Sequence, residues 1–363
     1  MTIPIVVRFS KKRDIEMLEY LPWSKATNEN CLNKYKNGLF SVVDIELGGE
    51  CNYNCVYCDS PDRNKLCTFS IDELDKYLLF NNFDWVYVCG LGEPTYKSNY
   101  DMLLKLLTLC AKHNLRCSMF TNLSNLTSEL AEFIQDGILH IFYKYDSNNS
   151  QIIRALYGTK ETKVQLNNIK QLKKLTHLEN GMTNIAASIV PTRLNMNFVL
   201  PIVEECLNNN IFPLIGELEL SGKGQMNYEN LCLNQDELCQ IKDKVENLWG
   251  ERYSIPICPA VISGIHFNYN NFITVDEFSG LSCHWFWLEE PRTKKIIQLN
   301  HNTTTDEITN TILNYRDSCL PNVEKFLHSN DKIGIAFGGC GGDAHTIFRE
   351  YLTYHRTRIN DLS

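Results

Sequence analysis

The amino-acid sequence predicts an α/β protein in which parallel strands alternate with crossover helices. From about residue 40 onward, short runs of β-branched and aromatic residues alternate with longer amphipathic runs. Six such strands come before residue 225, each followed by a predicted helix, and a strand that is followed by a helix each time requires parallel pairing. The chain should therefore form a partial (β/α)6 barrel or a doubly wound sheet, with functional residues near the carboxyl ends of the strands.

The individual elements follow from the spacing of apolar residues. The predicted strands are Phe40–Leu47, Trp85–Cys89, Arg116–Thr121, Ile138–Tyr145, Asn184–Val190 and Pro213–Leu220. A helix should begin at Ser70, which has capping-box spacing to Glu73. Further helices are predicted at Lys97–His113, Glu129–Gln135, Thr162–Leu175, Phe198–Asn209 and Asn234–Leu248.

The alternation of predicted strands and helices stops at Ser221-Gly222-Lys223-Gly224, which suggests that the chain is divided into three parts. These are an N-terminal extension, 1–38, the barrel section, 39–225, and a C-terminal section, 226–363. The last part should be small and loop-rich, with a β-hairpin in which Ile262–Phe267 turns into Phe272–Phe278. A region of that kind often depends on a metal for its stability.

Composition and charge exclude several classes of protein. The 363 residues include 35 Lys and Arg against 43 Asp and Glu, so a net charge of −8 offers no basic surface for nucleic acid. No apolar run approaches the roughly 18 residues that would span a membrane. The first residues do not resemble a secretory signal, so we expect a cytoplasmic protein. An odd total of 15 cysteines in a reducing compartment favours metal ligands or reactive thiols over disulfides.

A group of three cysteines follows the first predicted strand directly. Cys51, Cys55 and Cys58 have the spacing C-x3-C-x2-C, in a loop at the carboxyl end of that strand. Three thiolates so close together can bind three irons of a [4Fe–4S] cluster and leave the fourth iron without a protein ligand. A structural zinc site, and an ordinary ferredoxin-type cluster with Cys67 as fourth ligand, are the alternatives that spacing alone leaves open.

The second predicted strand ends in Cys89-Gly90-Leu91-Gly92-Glu93-Pro94. Its glycines would allow close backbone approach, and a backbone carbonyl there can accept a hydrogen bond from an ammonium group. A tight turn from strand to helix is the simpler interpretation of the same residues.

Taken together, the C-x3-C-x-aromatic-C motif and the six strand and helix pairs resemble the radical SAM superfamily. The resemblance implies a partial TIM-like barrel in which Cys51, Cys55 and Cys58 hold a cluster whose open iron binds S-adenosylmethionine (SAM). One electron then cleaves the sulfonium to methionine and a 5′-deoxyadenosyl radical, which abstracts hydrogen from a substrate. Tyr57 would lie near the adenine. The segment Gly90, Gly92, Glu93, Pro94 would bind the methionine amino group, although Leu91 separates glycines that are adjacent in the family.

Later strand ends carry weaker matches to the same family. The family places contacts to the ribose and the methionine carboxylate at positions that correspond here to Thr121, Asn122, Asp146, Ser147 and Ser188. Each of these residue types is also common in turns and caps. Glu217 and Glu219 share one face of the sixth predicted strand, where a buried ion pair and a substrate contact are equally good interpretations.

A second set of cysteines lies in the C-terminal section. Two of them flank the predicted hairpin and one lies among glycines; the set is Cys258, Cys283, Cys319 and Cys340. This layout resembles the SPASM and twitch auxiliary domains, with too few cysteines for two clusters, and implies one auxiliary [4Fe–4S] cluster. A zinc ion in the same thiolates, or buried thiols without metal, are the alternatives. Of the remaining cysteines, Cys89 and Cys117 lie on barrel strands and could act as hydrogen donors.

The resemblance implies a radical SAM oxidoreductase or maturase, most simply one that oxidises, cross-links or epimerises a ribosomally made peptide. Dehydrogenation or epimerisation of a sugar-like small molecule is the alternative substrate class. A non-catalytic iron–sulfur or zinc scaffold or sensor is the alternative from another class. An electron donor such as flavodoxin or ferredoxin would be the partner, with no nucleic acid and no membrane, and no residue is assigned as catalytic.

Overall fold

A nine-stranded sheet forms the centre of the protein. This computed structural model describes residues 19–20, 33–34, 39–58, 66–80, 83–179, 181–216, 218, 222–249, 264–276 and 293–329. The strands of the sheet are β1 (Val42–Ile45), β2 (Trp85–Val88), β3 (Arg116–Thr121), β4 (Leu139–Lys144), β5 (Ile185–Ile189), β6 (Phe212–Ile215), β7 (Gly264–Phe267), β8 (Phe272–Asp276) and β9 (Thr293–Gln298). All six strands predicted before residue 225 are therefore confirmed, although the first and the last have 4 residues each and are shorter than predicted.

The helices pack beside this sheet or close its ends. They are α1 (Ile71–Phe80), α2 (Lys97–Lys112), α3 (Ser128–Gln135), α4 (Ser150–Tyr157), α5 (Thr162–Leu172), α6 (Met196–Asn208), α7 (Gly222–Met226), α8 (Tyr228–Leu231), α9 (Gln235–Trp249) and α10 (Thr305–Ser329). A capping box begins α9, because the Glu237 amide donates to Asn234 Oδ1 at 2.9 Å and Glu237 Oε2 accepts from the Asn234 amide at 2.8 Å.

The order of the strands decides between the two predicted architectures. β1 to β6 are parallel and lie side by side in sequence order. Right-handed crossovers between successive neighbours place every helix on the same face of the sheet, whereas a doubly wound sheet reverses its strand order partway. The fold is therefore wound in one direction, as in a β/α barrel.

Side chains alternate between the helix-covered face and the interior face of this sheet. Cys117 of β3 contacts Cys110 of α2, and the Tyr145 hydroxyl, directly after β4, donates to Glu205 of α6 at 2.8 Å. Odd-numbered positions of β3 and β4 therefore face the helices. Even-numbered positions such as Phe120 and Phe142, whose rings stack at 4.5 Å, face the interior.

The predicted hairpin exists and extends the same sheet. Its first strand, β7, pairs in parallel with β1, with Ile265 opposite Val43, and β8 and β9 follow in antiparallel pairing. The sequence indicated the hairpin but not this parallel partner.

Four helices were not predicted: the short α7 and α8, and the longer α4 and α10. α4 begins at the Asn149 cap, whose Oδ1 accepts from the Gln151 amide at 2.8 Å, and ends at Gly158 with a φ of 59°. In the C-terminal section, α10 is a helix of 25 residues where we expected loops. Its buried Arg316 donates to the Gly264 carbonyl at 3.4 Å, which attaches the helix to β7.

Short strands outside the main sheet connect the N-terminal extension to the barrel section. Glu19–Tyr20 pairs in parallel with Met182–Thr183, which pairs in turn with Leu178–Glu179. Among the helices of the described residues, none combines the length and the apolarity that a membrane span requires.

Candidate functional site

The cysteine loop, residues 48–58, lies at the carboxyl end of β1 and is held on one side by the segment that follows β2. Gly92 has a φ of +67°, and a Cβ atom there would lie 2.3 Å from the Gly48 carbonyl oxygen and 2.6 Å from that of Glu50. The Glu93 amide donates to the Glu50 carbonyl at 2.9 Å. Only glycine permits this close approach, so the glycines of this segment serve first to seat the cysteine loop.

Helix α4 holds the same loop from another side. The amides of Asn54 and Val56 donate to the carbonyls of Tyr157 and Leu156, each at 2.8 Å. A Cβ atom on Gly158 would lie 2.7 Å from the Asn54 carbonyl oxygen. The ring of Tyr53 stacks on that of Tyr157 at 5.7 Å, so apolar packing adds to the hydrogen bonds.

A third contact comes from the segment after β6. The Lys223 amide donates to the Cys58 carbonyl at 2.8 Å, and Asn227 Nδ2 donates to the Val56 carbonyl at 2.8 Å. The Lys223 ammonium also bonds Asn54 Oδ1. The cysteine loop is therefore fixed by three separate parts of the chain, which pre-orients its side chains for a ligand.

The three thiols of the loop suit an iron–sulfur cluster. Cys51, Cys55 and Cys58 are reduced and partly exposed. The Cys51 sulfur accepts from the Tyr53 amide at 3.3 Å and from Asn122 Nδ2 at 3.8 Å, and such N–H donors stabilise cluster thiolates. Burial raises the pKa of the Cys55 thiol, so binding of a metal there would release a proton.

The described residues contain no group of three Cys, His, Asp or Glu side chains that converges on a single metal ion. A [4Fe–4S] cluster does not require its ligands to converge on one ion, because each thiolate binds a different iron atom. The set of donors and the glycine-lined seat of the loop fit such a cluster.

Glu93 is a buried carboxylate that joins the ends of β2 and β3. Its Oε1 atom accepts from the Thr95 amide at 3.0 Å and from the hydroxyls of Thr95 and Thr121 at 2.6 Å each. Its Oε2 atom accepts from the Asn122 amide at 2.6 Å. Burial raises the pKa of Glu93, and these four hydrogen bonds oppose that rise. The side chain thus positions the strand ends from which Thr121 and Asn122 project.

Replacing Glu93 by glutamine should destabilise the protein by about 1–3 kcal/mol, since the amide turns at least one of four accepted hydrogen bonds into a clash between donors. The free energy of unfolding in urea measures the effect. Glu132→Gln, at an exposed position of α3, is the matched control and should change it little. Equal stability of Glu93→Gln and wild type would contradict the role of the carboxylate as a crosslink.

Asp146 is the second buried carboxylate of the site. Its Oδ2 atom accepts from the Tyr57 hydroxyl, and its Oδ1 atom accepts from the Val190 amide at 2.7 Å. The ammonium of Lys144 lies 3.8 Å from Oδ2 and 4.6 Å from the centre of the Tyr57 ring. Asp146 therefore fixes the aromatic residue that precedes Cys58, and the partly exposed Lys144 brings a positive charge beside it.

The other residues that the resemblance assigned to the cofactor lie in different places: some face the interior of the sheet, and others lie in turns or beside Gly92. Lys144 and Ser188 are aligned on adjacent strands, and Asn122 follows β3 on the same interior face. Ser147 instead accepts from the Asn149 amide at 3.0 Å, in the turn that starts α4. Gly90, with a φ of +98°, and the buried Pro94 flank the contact that Gly92 makes with the loop.

Sequence reasoning missed several residues that build this site. Gln165 Nε2 donates to the carbonyls of Asn122 at 2.9 Å and Lys144 at 3.1 Å, and so ties two strand ends together. Asn195 Nδ2 donates to the Asp146 carbonyl at 3.0 Å. No sequence signal marks these two amides, whereas Gly158 at the end of α4 could have been recognised as a helix stop.

The two candidate hydrogen donors lie on opposite faces of the sheet. Cys89 Sγ donates to Asp44 Oδ1 at 2.8 Å, and the two side chains project from neighbouring parallel strand ends. Cys117 contacts Cys110 on the helix-covered face, so it does not reach the interior. This corrects the expectation that either cysteine could face the substrate.

Cys67 lies beside the turn between β7 and β8. The Thr68 amide donates to the Tyr269 carbonyl at 2.9 Å, and the Cys67 sulfur accepts from the Phe69 amide at 3.4 Å. Burial raises the pKa of Cys67 to about 11, which keeps it a thiol at neutral pH. These hydrogen bonds attach Cys67 and Thr68 to Phe69 and to the turn rather than to the cysteine loop.

Cys67→Ala is therefore expected to bind as much iron as wild type, because the cluster needs only the three cysteines of the loop. Iron per chain after anaerobic reconstitution is the measurement. A loss of iron in this variant would restore the alternative in which Cys67 is the fourth ligand.

The auxiliary cluster falls mostly outside the described residues. Cys258, Cys283 and Cys340 lie there, as do Glu217 and Glu219 of the predicted sixth strand. Cys319 is described and lies buried on α10, with 4% of its surface exposed.

A parallel sheet wound in one direction, with a C-x3-C-x2-C loop clamped at the end of its first strand, is the arrangement that the sequence predicted. Residues 45–186 match the Radical SAM superfamily, and the fold is a partial TIM-like barrel.

Other proteins share parts of this chain. A curated relative, uncharacterized protein MJ0804 of Methanocaldococcus jannaschii, is 28% identical over 55% of this chain and 65% of its own length. Native anSMEcpe with bound AdoMet is 14% identical with a TM-score of 0.57, over 89% of this chain and 100% of that chain. Streptococcus suis SuiB bound to precursor peptide SuiA is 13% identical with a TM-score of 0.50, over 74% of this chain and 65% of that one. These structural likenesses show the fold.

Proposed function

We propose that this protein is a radical SAM enzyme that cleaves S-adenosylmethionine reductively and abstracts hydrogen from a peptide. The observation that carries the proposal is the cysteine loop, whose three thiols stand in the matched segment 45–186 and are held by three parts of the chain. A cluster bound to Cys51, Cys55 and Cys58 supplies the electron that cleaves the sulfonium to methionine and a 5′-deoxyadenosyl radical.

The residues of the chain orient the reactants. The backbone carbonyls of the segment Gly90 to Glu93 offer acceptors for the methionine ammonium, and the carboxylate of Glu93 keeps this segment against β3. The ammonium of Lys144 faces the site beside Tyr57 and can pair with an anionic group. Tyr57, fixed by Asp146, provides an aromatic edge for the adenine. Asn122 and Ser188 add polar groups from neighbouring strand ends.

A peptide is the favoured substrate class because the fold neighbours include SuiB with its precursor peptide and anSMEcpe with bound peptides. The outcome proposed for the peptide is oxidation, cross-linking or epimerisation. Cys258, Cys283, Cys319 and Cys340 are proposed to hold one auxiliary [4Fe–4S] cluster, and an electron donor such as flavodoxin or ferredoxin is the proposed partner.

The test of the function is anaerobic reconstitution with iron and sulfide, followed by S-adenosylmethionine and dithionite. Wild type should release 5′-deoxyadenosine and methionine, and it should contain about 8 irons per chain if both clusters form. Metal without 5′-deoxyadenosine under fully reducing conditions would instead indicate a scaffold or sensor and would refute the enzyme.

A further inference from the structure

Four exposed side chains and the half-buried Lys223 lie on the two segments that hold the tip of the cysteine loop. We call this set the loop-flanking patch, and it consists of Arg154, Lys160, Lys223, Met226 and Tyr228. Met226 is 80% exposed and Tyr228 is 38% exposed, and both rank among the exposed large apolar side chains of the described residues. Arg154 and Lys160 are exposed on either side of Gly158, at the end of α4. Apolar groups with charged neighbours are the composition of a protein docking site.

Backbone contacts connect the patch directly to two predicted cluster ligands. The exposed Asn54 precedes Cys55, and it contacts Gly158 on one side and Lys223 on the other. The Lys223 amide donates to the Cys58 carbonyl at 2.8 Å. Asn54 is adjacent to Cys55 in the sequence, and Lys223 is hydrogen-bonded to Cys58 itself. A protein that docks on this patch therefore lies close to two predicted cluster ligands, so an electron has only a short distance to travel.

The charge of the patch is opposite to that of the whole chain. The segments 150–163 and 222–231 contain four cations, Arg154, Lys160, Lys163 and Lys223, against two carboxylates, Glu161 and Glu229. The chain as a whole has a net charge of −8. A local positive surface on an acidic protein steers an acidic partner to this place.

We propose that the loop-flanking patch is the docking surface for an acidic electron-carrier protein of the flavodoxin type. The inference rests on the radical SAM function proposed above and assigns that function a place for its reductant. In the step that docking serves, the donor is oxidised by one electron and the cluster is reduced by one electron. No bond forms or breaks. Met226 and Tyr228 form the apolar centre of the contact, and the cations form its rim.

The experiment compares two reductants on the same variants of the reconstituted protein. Met226→Glu and the double variant Arg154→Glu with Lys160→Glu place negative charge on the patch. Each should weaken binding of a purified flavodoxin by at least about tenfold, measured by calorimetry. Each should slow 5′-deoxyadenosine release when reduced flavodoxin is the donor, and none should slow it with dithionite, a small reductant that needs no docking surface. Added salt should weaken flavodoxin binding to wild type.

Matched controls lie elsewhere on the surface. Leu79→Glu, at a position 62% exposed on α1, matches the change at Met226. Lys105→Glu with Lys170→Glu, both at exposed positions, matches the double charge reversal. Both controls should bind flavodoxin as wild type does.

Three results would overturn the inference. One is unchanged flavodoxin affinity in the patch variants. Another is an equal loss of activity with dithionite, which would assign the patch to the substrate or to the seat of the loop. The third is a change of oligomeric state in Met226→Glu with flavodoxin affinity intact, which would assign the patch to a second copy of the chain. If wild type releases no 5′-deoxyadenosine with dithionite, the proposed function fails, while flavodoxin affinity still tests the patch.

Discussion

Replacing Cys51, Cys55 and Cys58 together by alanine should remove about four irons per chain and abolish release of 5′-deoxyadenosine. The loss should be complete because each thiolate holds a different iron atom, so the triple variant leaves the cluster no cysteine ligand in the loop. Iron content and product release are measured on the same anaerobically reconstituted sample.

Cys239→Ala is the matched control for this prediction. Cys239 is exposed on α9, and its removal should leave iron content and product release as in wild type. A triple variant that still bound the full amount of iron would show that the loop does not hold the cluster. Retention of about four irons would support the proposed auxiliary cluster, whose ligands lie in the C-terminal section.

Gly92→Ala should destabilise the protein by about 3 kcal/mol or more and prevent the cysteine loop from taking its place. Two costs add at this position. The left-handed φ of +67° is unfavourable for alanine, and the added Cβ would lie 2.3 Å from the Gly48 oxygen and 2.7 Å from the Gly49 carbon. Neither contact can be relieved by rotating a side chain, because both atoms belong to the backbone.

Gly137→Ala separates the two costs. Gly137 has a similar φ, +72°, but a Cβ there would meet nothing within 4 Å. This control should lose only about 1 kcal/mol, the cost of the backbone conformation, and keep its iron. Urea unfolding and iron content measure both variants. If the two glycines proved equally tolerant of alanine, the close packing of Gly92 on the loop would have no energetic role.

The strands could be predicted because they are buried on both faces and read as short apolar runs. Val42–Ile45 and Trp85–Val88 are buried at every position, which left a clear signal against the polar turns around them. The cysteine loop could be predicted for a different reason, since its ligands are close together in the sequence.

Other features depend on contacts between distant residues and leave no local pattern. Nothing near Gly264 indicates that β7 lies beside β1, because both edges of an apolar strand can accept a partner. Gln165 and Asn195 are ordinary amides in the sequence, and only the fold shows that they cap strand ends. Nothing in the sequence indicates that the two carboxylate oxygens of Glu93 accept four hydrogen bonds from the protein.

The pairing of β7 with β1 has a consequence for synthesis on the ribosome. The paired positions, such as Val43 and Ile265, are about 220 residues apart, so β1 emerges long before its outer neighbour exists. During that interval the nascent sheet has an open edge at β1, next to the loop that carries the three cysteines, and an open edge is a template for wrong pairing. Arrival of the hairpin closes that edge, so the end of the sheet that carries the three cysteines is complete only after the C-terminal section has been made.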